Sequence, residues 1–342
     1  MYNAALSQEG IIIKAVADPN ESNRTKALKT IKEKRGWEPE VYRGEEDYRK
    51  LMAREDVNAV ILAVPCYLHT TMYLACFEHG RHFYGEKPMC IEVNEAEALV
   101  KAQKKNPKVI AQIGFQRRAS ELYQGGIKKI HEGVLGPLFG GTAAWNNSWG
   151  PLGGKANPNS SFWFGRRKFS GDWMLEQACH TWDVIDWVIG ELPVAASGAG
   201  RQDIFTDVDP GRDVTDYYYA NLEYRNGIII DFQHCWCCPL IKLDKEQRFN
   251  GVFERFIGPK GGIDLSAGVF CPRQESGQVF TVPGNQEHVA MTGKAIETFF
   301  KTVRTGGKSV ADIEVGRRAS LTGILVRQAV HEKRRVLMSE LV

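Results

Sequence analysis

A continuous apolar run early in the chain is the feature that most restricts its fold. Asn58–Val64 is apolar after its first residue and ends at Pro65, as expected of a short strand buried on both faces. Strands of that kind belong to parallel sheets covered by helices. Similar strands are predicted at Ile11–Ala17, Arg81–Tyr84 and Lys108–Phe115, and helices at Glu21–Arg35, Tyr48–Arg54, Thr70–His79 and Asn94–Lys105. This alternation predicts an α/β unit with right-handed crossovers.

The pattern changes after about Gln116. Long β-rich segments follow a helix predicted at Glu121–Glu132, and Asn226-Gly227 between two of them is a hairpin signal. The predicted strands are Leu138–Ser148, Asp216–Tyr224, Ile228–Trp236, Gly251–Ile257 and Gly262–Leu265, and the last helices are His288–Arg304 and Val315–Lys333. We therefore predict two domains, residues 1–117 and 118–342. The second contains a large, mostly antiparallel open sheet.

Composition and charge exclude several classes of protein. The 342 residues carry a net charge of +3, which is too small to favour nucleic acid or a membrane surface as partner. No apolar run approaches the roughly 20 residues that cross a bilayer. Met1–Leu6 lacks the basic and apolar parts of a signal peptide, so we expect a cytoplasmic protein.

Three of the eight cysteines cluster after His234, at Cys235, Cys237 and Cys238. The cluster could indicate a metal site, but no second Cys/His pair stands at zinc-ligand spacing. The segment also has the pattern of a strand, in which cysteine behaves as a small hydrophobic residue. We expect reduced thiols and no metal.

Three titratable residues in the middle of the chain have helical spacing. Glu176, His180 and Asp183 stand at i, i+4 and i+7, which predicts one helix face for all three. Buried polar groups of this kind need partners. A helix face with one satisfied histidine and an acid/base site are equally good interpretations of this stretch alone.

Other polar residues follow the predicted parallel strands, at the edge where α/β sheets bind ligands. Lys87 follows Glu86 after the strand at Arg81–Tyr84, and is either an acid/base or hydrogen-bonding group or an exposed lysine before a proline. Asp18 ends the first strand, where a carboxylate can accept ribose hydroxyls and repel the extra phosphate of NADP, or act only as a turn residue. His69, just after Pro65, either faces a ligand or caps a helix.

Together these motifs resemble the Gfo/Idh/MocA family of NAD(P)-dependent oxidoreductases, over nearly the whole chain. The motifs are Val16-Ala17-Asp18-Pro19, Pro65 with His69, Glu86-Lys87-Pro88, Gly114-Phe115-Gln116-Arg117-Arg118, Gly136-Pro137-Leu138, Glu176 with His180 and Asp183, and Asp312-Ile313-Glu314-Val315-Gly316-Arg317. The resemblance implies a Rossmann-type domain followed by a domain with an open antiparallel sheet. The back of that sheet often forms an oligomer interface, so a homodimer or homotetramer is expected.

The resemblance also implies a role for each matching residue. Lys87 matches the lysine that contacts nicotinamide and the substrate hydroxyl, His180 the catalytic acid/base, and Glu176 an acidic residue that is more commonly aspartate. Asp183 matches a second acid, substrate-facing or structural. Arg117 and Trp163 are candidates for the substrate rim or for packing. The residues expected to contact the cofactor, NAD rather than NADP, are Asp18, Pro65, His69, Glu86, Lys87 and Gln116.

The N-terminus departs from the family pattern. Members open with a strand and a glycine-rich turn, whereas only 10 residues precede Ile11 and the sequence contains no Gly-x-Gly-x-x-Gly. Tyr2–Gln8 matches the second half of the helix that follows that turn. The absent strand is central in a Rossmann sheet, so its loss predicts two unpaired strand edges beside a gap. A start site assigned too late or a truncated chain is the favoured explanation, and a natural relative with impaired cofactor binding is the alternative.

These features predict a dehydrogenase acting on a sugar, inositol or related polyol. Removing a hydride from an alcohol carbon requires removal of the hydroxyl proton, which a histidine can accept while a lysine stabilises the alkoxide. Two alternatives remain open: a redox-neutral enzyme that retains NAD and cleaves glycosides, and a non-catalytic binding or scaffold protein. The substrate-specificity loop is expected within Asn146–Phe169.

Overall fold

The computed structural model describes residues 2–148, 162–239, 249–274, 280–283 and 288–342. The N-terminal part contains strands β1 Ala15–Ala17, β2 Glu40–Tyr42, β3 Ala59–Leu62, β4 His82–Gly85 and β5 Ala111–Ile113. Its helices are α1 Tyr2–Leu6, α2 Glu21–Arg35, α3 Tyr48–Ala53, α4 Cys66–Glu78 and α5 Val93–Lys105. The predicted alternation of strands and helices is confirmed, with strand ends shortened by a few residues.

The strands β3, β4 and β5 form a parallel sheet whose carboxyl ends are in register. Leu62 pairs with Gly85, and Gly85 pairs with Ile113. The segments that follow these three residues therefore leave the sheet at one edge. That edge carries three of the sequence motifs: Pro65, Glu86-Lys87 and Gln116.

The strands β1 and β2 form a separate parallel pair. Among the described residues, β1 pairs with β2 and β3 pairs with β4, so that β1 and β3 each have an unpaired edge. All three residues of β1 are half-buried. The predicted division of the parallel sheet into two parts is observed.

The short helix α1 packs against α2 and against α10, which spans His288–Thr305. The guanidinium of Arg35 fixes its end by donating to the carbonyl oxygens of Leu6 and Gln8, the latter at 2.8 Å. Ala5 lies in a small apolar cluster with Phe299 of α10 and Tyr84 of β4. The helix predicted at Tyr2–Gln8 is thus confirmed over Tyr2–Leu6.

The second part of the chain is built on a large sheet. Nine of the described strands form it, in the order β13-β12-β11-β10-β6-β9-β8-β7-β14, and every pair is antiparallel except β6–β9. The strands are β6 Gly140–Asn146, β7 Ala195–Arg201, β8 Tyr217–Glu223, β9 Ile229–Cys235, β10 Gly251–Gly258, β11 Gly261–Asp264, β12 Val269–Pro272, β13 Phe280–Thr281 and β14 Val336–Leu337. The predicted hairpin joins β8 to β9, with Asn226 and Gly227 both at positive φ (63° and 75°).

Helices cover one face of this sheet and leave the other exposed. The helices of this part are α6 Glu121–His131, α7 Arg167–Ser170, α8 Trp173–Glu176, α9 Cys179–Ile189, α10 and α11 Ile313–Glu332. Of these, α11 packs on β7 and β8. On the opposite face, Tyr219, Ile229 and Ile257 are each 53% exposed. None of the described helices is long and apolar enough to cross a membrane.

The sequence analysis did not predict β2, β7, β12, β13 or β14. The reason is clearest for β7, whose sequence AASGAGR has the composition of a loop. Its glycines are required by close packing: a Cβ on Gly198 would lie 2.6 Å from the Tyr219 carbonyl oxygen and 2.8 Å from Val330 of α11. Tertiary packing, rather than local strand preference, therefore determines this strand.

Candidate active site

The side chain of Lys87 joins the two parts of the chain. It follows β4 at the carboxyl edge of the parallel sheet, and its ammonium group reaches the end of α8. Nζ donates to the carbonyl oxygen of Glu176 at 2.6 Å and to Glu176 Oε1 at 3.0 Å. Both side chains are largely buried, with 13% and 8% exposed.

The prediction of one helix face for Glu176, His180 and Asp183 is wrong. The segment forms two helices, α8 and α9, that break at Gln177 and Ala178. The His180 amide donates to the Gln177 carbonyl oxygen at 3.3 Å rather than to the carbonyl of Glu176. The Glu176 carbonyl instead accepts from Lys87, so a long-range contact competes with the continuous helix.

The charges around Lys87 keep its side chain an ammonium ion. Burial lowers the pKa of Lys87, but attraction by Glu176, with smaller contributions from Cys179 and Glu86, raises it well above its ordinary value. Burial raises the pKa of Glu86, and the positive charge of Lys87 opposes that rise. The site therefore offers a charged hydrogen-bond donor shielded from water.

His180 lies in the first turn of α9 with its imidazole between aromatic rings. The ring stacks on Trp145 of β6, with centroids 5.6 Å apart and planes inclined by 17°. Phe115, which follows β5, approaches it edge-on at 6.1 Å. The imidazole is 5% exposed, so aromatic packing restricts its orientation.

Beside His180 lies a buried carboxylate that the sequence analysis missed, Glu254 of β10. It forms an ion pair with Arg117 and accepts hydrogen bonds from Thr181 Oγ1 and Tyr123 OH, each at 3.1 Å. Arg117 is thus buried among packing partners, as one of its two sequence interpretations requires. Glu254 and the buried Phe256 are two residues apart and lie on the same face of β10. A carboxylate at such an inward strand position was the sequence signal that could have identified Glu254.

Asp183 pairs with Arg118, whereas Glu176 pairs with Lys87. Its Oδ1 accepts a hydrogen bond from Arg118 Nε at 2.7 Å, and the Arg118 guanidinium lies 4.8 Å from the Trp187 ring centre. Burial raises the pKa of Asp183, and Arg118 opposes that rise. These contacts fit the structural alternative for Asp183.

His69 connects two of the turns at the carboxyl edge. Its Nδ1 lies 2.6 Å from the carbonyl oxygen of Pro88, and its Nε2 lies 2.8 Å from that of Val64. Burial lowers the pKa of His69 to about 4, and the hydrogen bonds with both carbonyls oppose this fall. Both nitrogens face backbone, and His69 holds together the turns that carry Pro65 and Lys87.

The remaining predicted residues lie at three separate places. Asp18 Oδ1 accepts from the Asn20 amide at 2.7 Å, and Oδ2 from Asn23 Nδ2 at 3.1 Å, at the start of α2. Gln116 is buried in the 3-10 turn after β5. Trp163 stacks on Phe164 at 3.9 Å, as in its packing interpretation. Residues 149–161 of the expected specificity loop lie outside the described residues.

The cysteine cluster lies at the end of β9. Cys235 Sγ is 3.5 Å from Cys237 Sγ, and both are free thiols. Within the described part of the chain, no group of three or more His, Cys, Asp or Glu side chains is arranged to hold a metal ion.

Two protein-family models match this chain. The oxidoreductase family model with an NAD-binding Rossmann fold matches residues 2–115, and the GFO/IDH/MocA C-terminal domain matches residues 127–257. Together they span more than half of the 342 residues. The chain belongs to the Gfo/Idh/MocA family. The resemblance inferred from the sequence motifs is confirmed.

Relatives of this Gfo/Idh/MocA protein include a glycosyl hydrolase family 109 protein from Shewanella sp. (strain W3-18-1), 28% identical over 141 residues. That match covers 40% of this chain and only 30% of the relative. Levoglucosan dehydrogenase, solved with NADH and levoglucosan, superposes with a TM-score of 0.77 at 18% identity, over 96% of this chain and 90% of its own. Myo-inositol 2-dehydrogenase from Lactobacillus plantarum superposes with a TM-score of 0.76 at 18% identity, over 98% of this chain and 94% of its own. The two structures establish the shared fold, which confirms the predicted fold class.

The residues of this Gfo/Idh/MocA chain fit the two ends of a dinucleotide. Asp18 directly follows β1 and its carboxylate suits ribose hydroxyls, and Lys87 lies at the carboxyl edge of β4. No Gly-x-Gly-x-x-Gly turn supplies amides for the pyrophosphate. The edges of β1 and β3 are unpaired in the same region.

Proposed function

We propose that this chain is an NAD(P)-dependent dehydrogenase that acts on a CH–OH group of a sugar, inositol or related polyol. The observation that carries the proposal is the position of the Lys87 ammonium group, which donates to two oxygen atoms of Glu176. Glu176 precedes His180 by four residues. The family supports the reaction class. The two dehydrogenases of similar fold support the substrate class.

In this reaction the bound nicotinamide supplies the hydride chemistry. Lys87 has three N–H donors, of which two reach Glu176, and the third would bind the substrate hydroxyl oxygen. A buried ammonium group there stabilises the alkoxide that forms as the proton leaves. His180 would accept that proton, and the Trp145 ring limits the plane in which it does so.

We further propose NAD rather than NADP as the preferred cofactor. The support is the position of Asp18 at the end of β1, with a carboxylate that would accept ribose hydroxyls and repel a 2′-phosphate. Binding of NADH and NADPH to the same preparation, compared by calorimetry, tests this preference. A preference for NADPH would overturn it.

Substitutions in the site test the catalytic assignment. We expect Lys87→Met and His180→Gln each to lower turnover on a responsive polyol by about 10² or more, while NADH affinity changes much less. Lys26→Met, at an exposed lysine on α2, is the control and should keep wild-type turnover. Near-native turnover in both site variants would contradict the assignment.

A redox-neutral glycosidase is a second candidate, because the Shewanella relative is named a glycosyl hydrolase. Such an enzyme would use Lys87 and His180 on a glycoside, with no net reduction of NAD. Release of the aglycone without accumulation of NADH would favour this candidate. Steady NADH formation on a free polyol would favour the dehydrogenase.

A third candidate is a family relative with impaired cofactor binding, since β1 and β3 each have an unpaired edge among the described residues. A chimera that adds the first strand and glycine-rich turn of a related dehydrogenase before Tyr2 tests it. If NADH binds to the chimera but not to the chain alone, the unpaired edges of β1 and β3 limit the affinity for NADH. If neither protein binds, both enzyme proposals fail.

We also propose that the exposed face of the large sheet forms a homo-oligomer interface. Its support is the exposure of three large apolar side chains, Tyr219, Ile229 and Ile257, on adjacent or nearby strands. Grouped apolar side chains on a soluble protein's surface mark interaction sites.

A further inference from the structure

Glu254 is fully buried in the middle of β10, and the proposed reaction so far gives it no part. A buried carboxylate is costly unless charged and polar partners surround it. Its partners are the Arg117 guanidinium, the Thr181 hydroxyl and the Tyr123 hydroxyl. They come from three separate elements: the 3-10 turn after β5, α9 and α6. Glu254 therefore connects the sheet to the segments around His180.

Two routes of contact lead from Glu254 to the imidazole of His180. Along α9, Thr181 directly follows His180 and donates its hydroxyl to Glu254 at 3.1 Å. Across the sheet, Arg117 Cζ lies 5.3 Å from the Trp145 ring centre, and Trp145 stacks on His180. The antiparallel pairing of β10 with β6 brings the carboxylate and the indole to one face.

We propose that Glu254 is a positioning residue for His180. Its carboxylate holds Arg117 against Trp145 and anchors Thr181, and it thereby fixes the plane of the His180 imidazole. A proton acceptor works only when it lies within hydrogen-bond reach of the reacting hydroxyl in the correct orientation. The importance of this plane for turnover rests on the proposed function; the placement of the ring by Glu254 does not.

The neighbouring charges favour this role over packing alone. An apolar side chain would fill the same volume as Glu254 without the cost of burying a carboxylate. The cation–π contact requires that the charged guanidinium of Arg117 be held against the Trp145 ring. Removing only one partner leaves the other charge uncompensated and free to reorient. Removing both charges restores the charge balance but also removes the Arg117 contact with Trp145. The two kinds of variant therefore separate positioning through Arg117 from the disturbance that one uncompensated buried charge causes.

The experiment follows the His180 ring by NMR in the full chain, with its Cε1–H signal assigned by His180→Gln. A ring stacked on an indole gives an upfield-shifted signal, which reports the stacking with Trp145 without any need for turnover. The test variants are Glu254→Gln, the charge-balanced pair Glu254→Gln with Arg117→Gln, and Thr181→Val. Asp216→Asn is the control, since it breaks another buried ion pair, with Arg212 Nε at 2.7 Å.

We expect Glu254→Gln to lose most of the upfield shift and Thr181→Val to lose part of it. The charge-balanced pair should also lose it, because that pair lacks the Arg117 contact with Trp145. Asp216→Asn should keep the wild-type signal. A wild-type His180 signal in folded Glu254→Gln overturns the inference. If Glu254→Gln does not fold, a wild-type signal in Thr181→Val overturns it instead.

Turnover per folded molecule gives the second readout. We expect Glu254→Gln to lower kcat about tenfold to a hundredfold with KM nearly unchanged, and the charge-balanced pair to keep this low kcat. Equal kcat in the wild type and folded Glu254→Gln contradicts the positioning role. If no polyol supports turnover in the wild type while the NMR pattern holds, the proposed function fails and the positioning of His180 stands.

Discussion

Replacing Glu176 by Gln tests whether its carboxylate keeps Lys87 charged. Lys87 Nζ and Glu176 Oε1 are 3.0 Å apart, and both side chains are largely buried. Two unit charges at that distance attract by about 5 kcal/mol at an effective dielectric constant of about 20. Burial lowers the pKa of Lys87, and the attraction by Glu176 is the largest cause that opposes it. Without the carboxylate we therefore expect the pKa of Lys87 to fall.

Two assays measure this change: the pH dependence of kcat/KM for polyol oxidation, and an NMR titration of the Lys87 Cε signal. In the wild type the raised pKa keeps Lys87 charged, so turnover does not decline through loss of the ammonium group as pH rises through the neutral range. In Glu176→Gln, kcat/KM falls as pH rises through the lowered pKa of Lys87, so its alkaline limb lies at lower pH than in the wild type. Glu86→Gln, which removes a weaker contributor, should move it less.

The titration of Lys87 decides the outcome independently of catalysis. If its signal titrates at the same pH in Glu176→Gln and in the wild type, the carboxylate does not determine the charge of Lys87. If Glu86→Gln has the larger effect, the assignment of the principal partner is wrong.

Three further predictions concern stability and assembly. Burial raises the pKa of Asp172, but its bond with His331 (2.7 Å) and other hydrogen bonds outweigh this and lower it. Asp172→Asn should therefore cost about 3–5 kcal/mol of unfolding free energy at neutral pH, and the difference should shrink as pH falls through the folded-state pKa and the wild-type carboxylate is protonated. Gly198→Ala should lower the unfolding free energy by about 1–3 kcal/mol because the new Cβ would lie 2.6 Å from a backbone oxygen. Gly293→Ala, which has open space around it in α10, should raise the unfolding free energy by up to about 1 kcal/mol. Denaturant unfolding measures both changes. Tyr219→Lys should lower the mass in light scattering to that of a monomer, and an unchanged oligomer, or a monomeric wild type, would refute the sheet interface.

The sequence predicted the edge of the parallel sheet because its signals are local. An apolar run closed by Pro65 marks a buried strand, and strand ends in a parallel sheet share one edge. These local signals place Lys87 and His69 near a common region. The sequence did not show that both nitrogens of His69 face backbone, since their partners depend on how the Pro65 and Pro88 turns meet.

The helix break and Glu254 were missed because both depend on contacts distant in sequence. The spacing of Glu176 and His180 favours one helix, whereas Lys87, 89 residues earlier than Glu176, binds the Glu176 carbonyl and competes with the helix. Glu254 lies on the fifth strand of the second part, and its partner Arg117 precedes it by 137 residues. Periodicity reports which face a residue occupies, not which distant charge neutralises it.

The central claim is that Lys87 and His180 promote hydride transfer from an alcohol carbon to a nicotinamide. Its most direct test is a panel of sugars and polyols deuterated at the reacting carbon, with the nicotinamide analysed by mass spectrometry after incubation with the chain or with the chimera. The account predicts deuterated NADH with at least one polyol, and loss of this product in Lys87→Met and His180→Gln. Absence of deuterium from the nicotinamide in protein that binds NAD, or its undiminished appearance in both variants, would contradict the account.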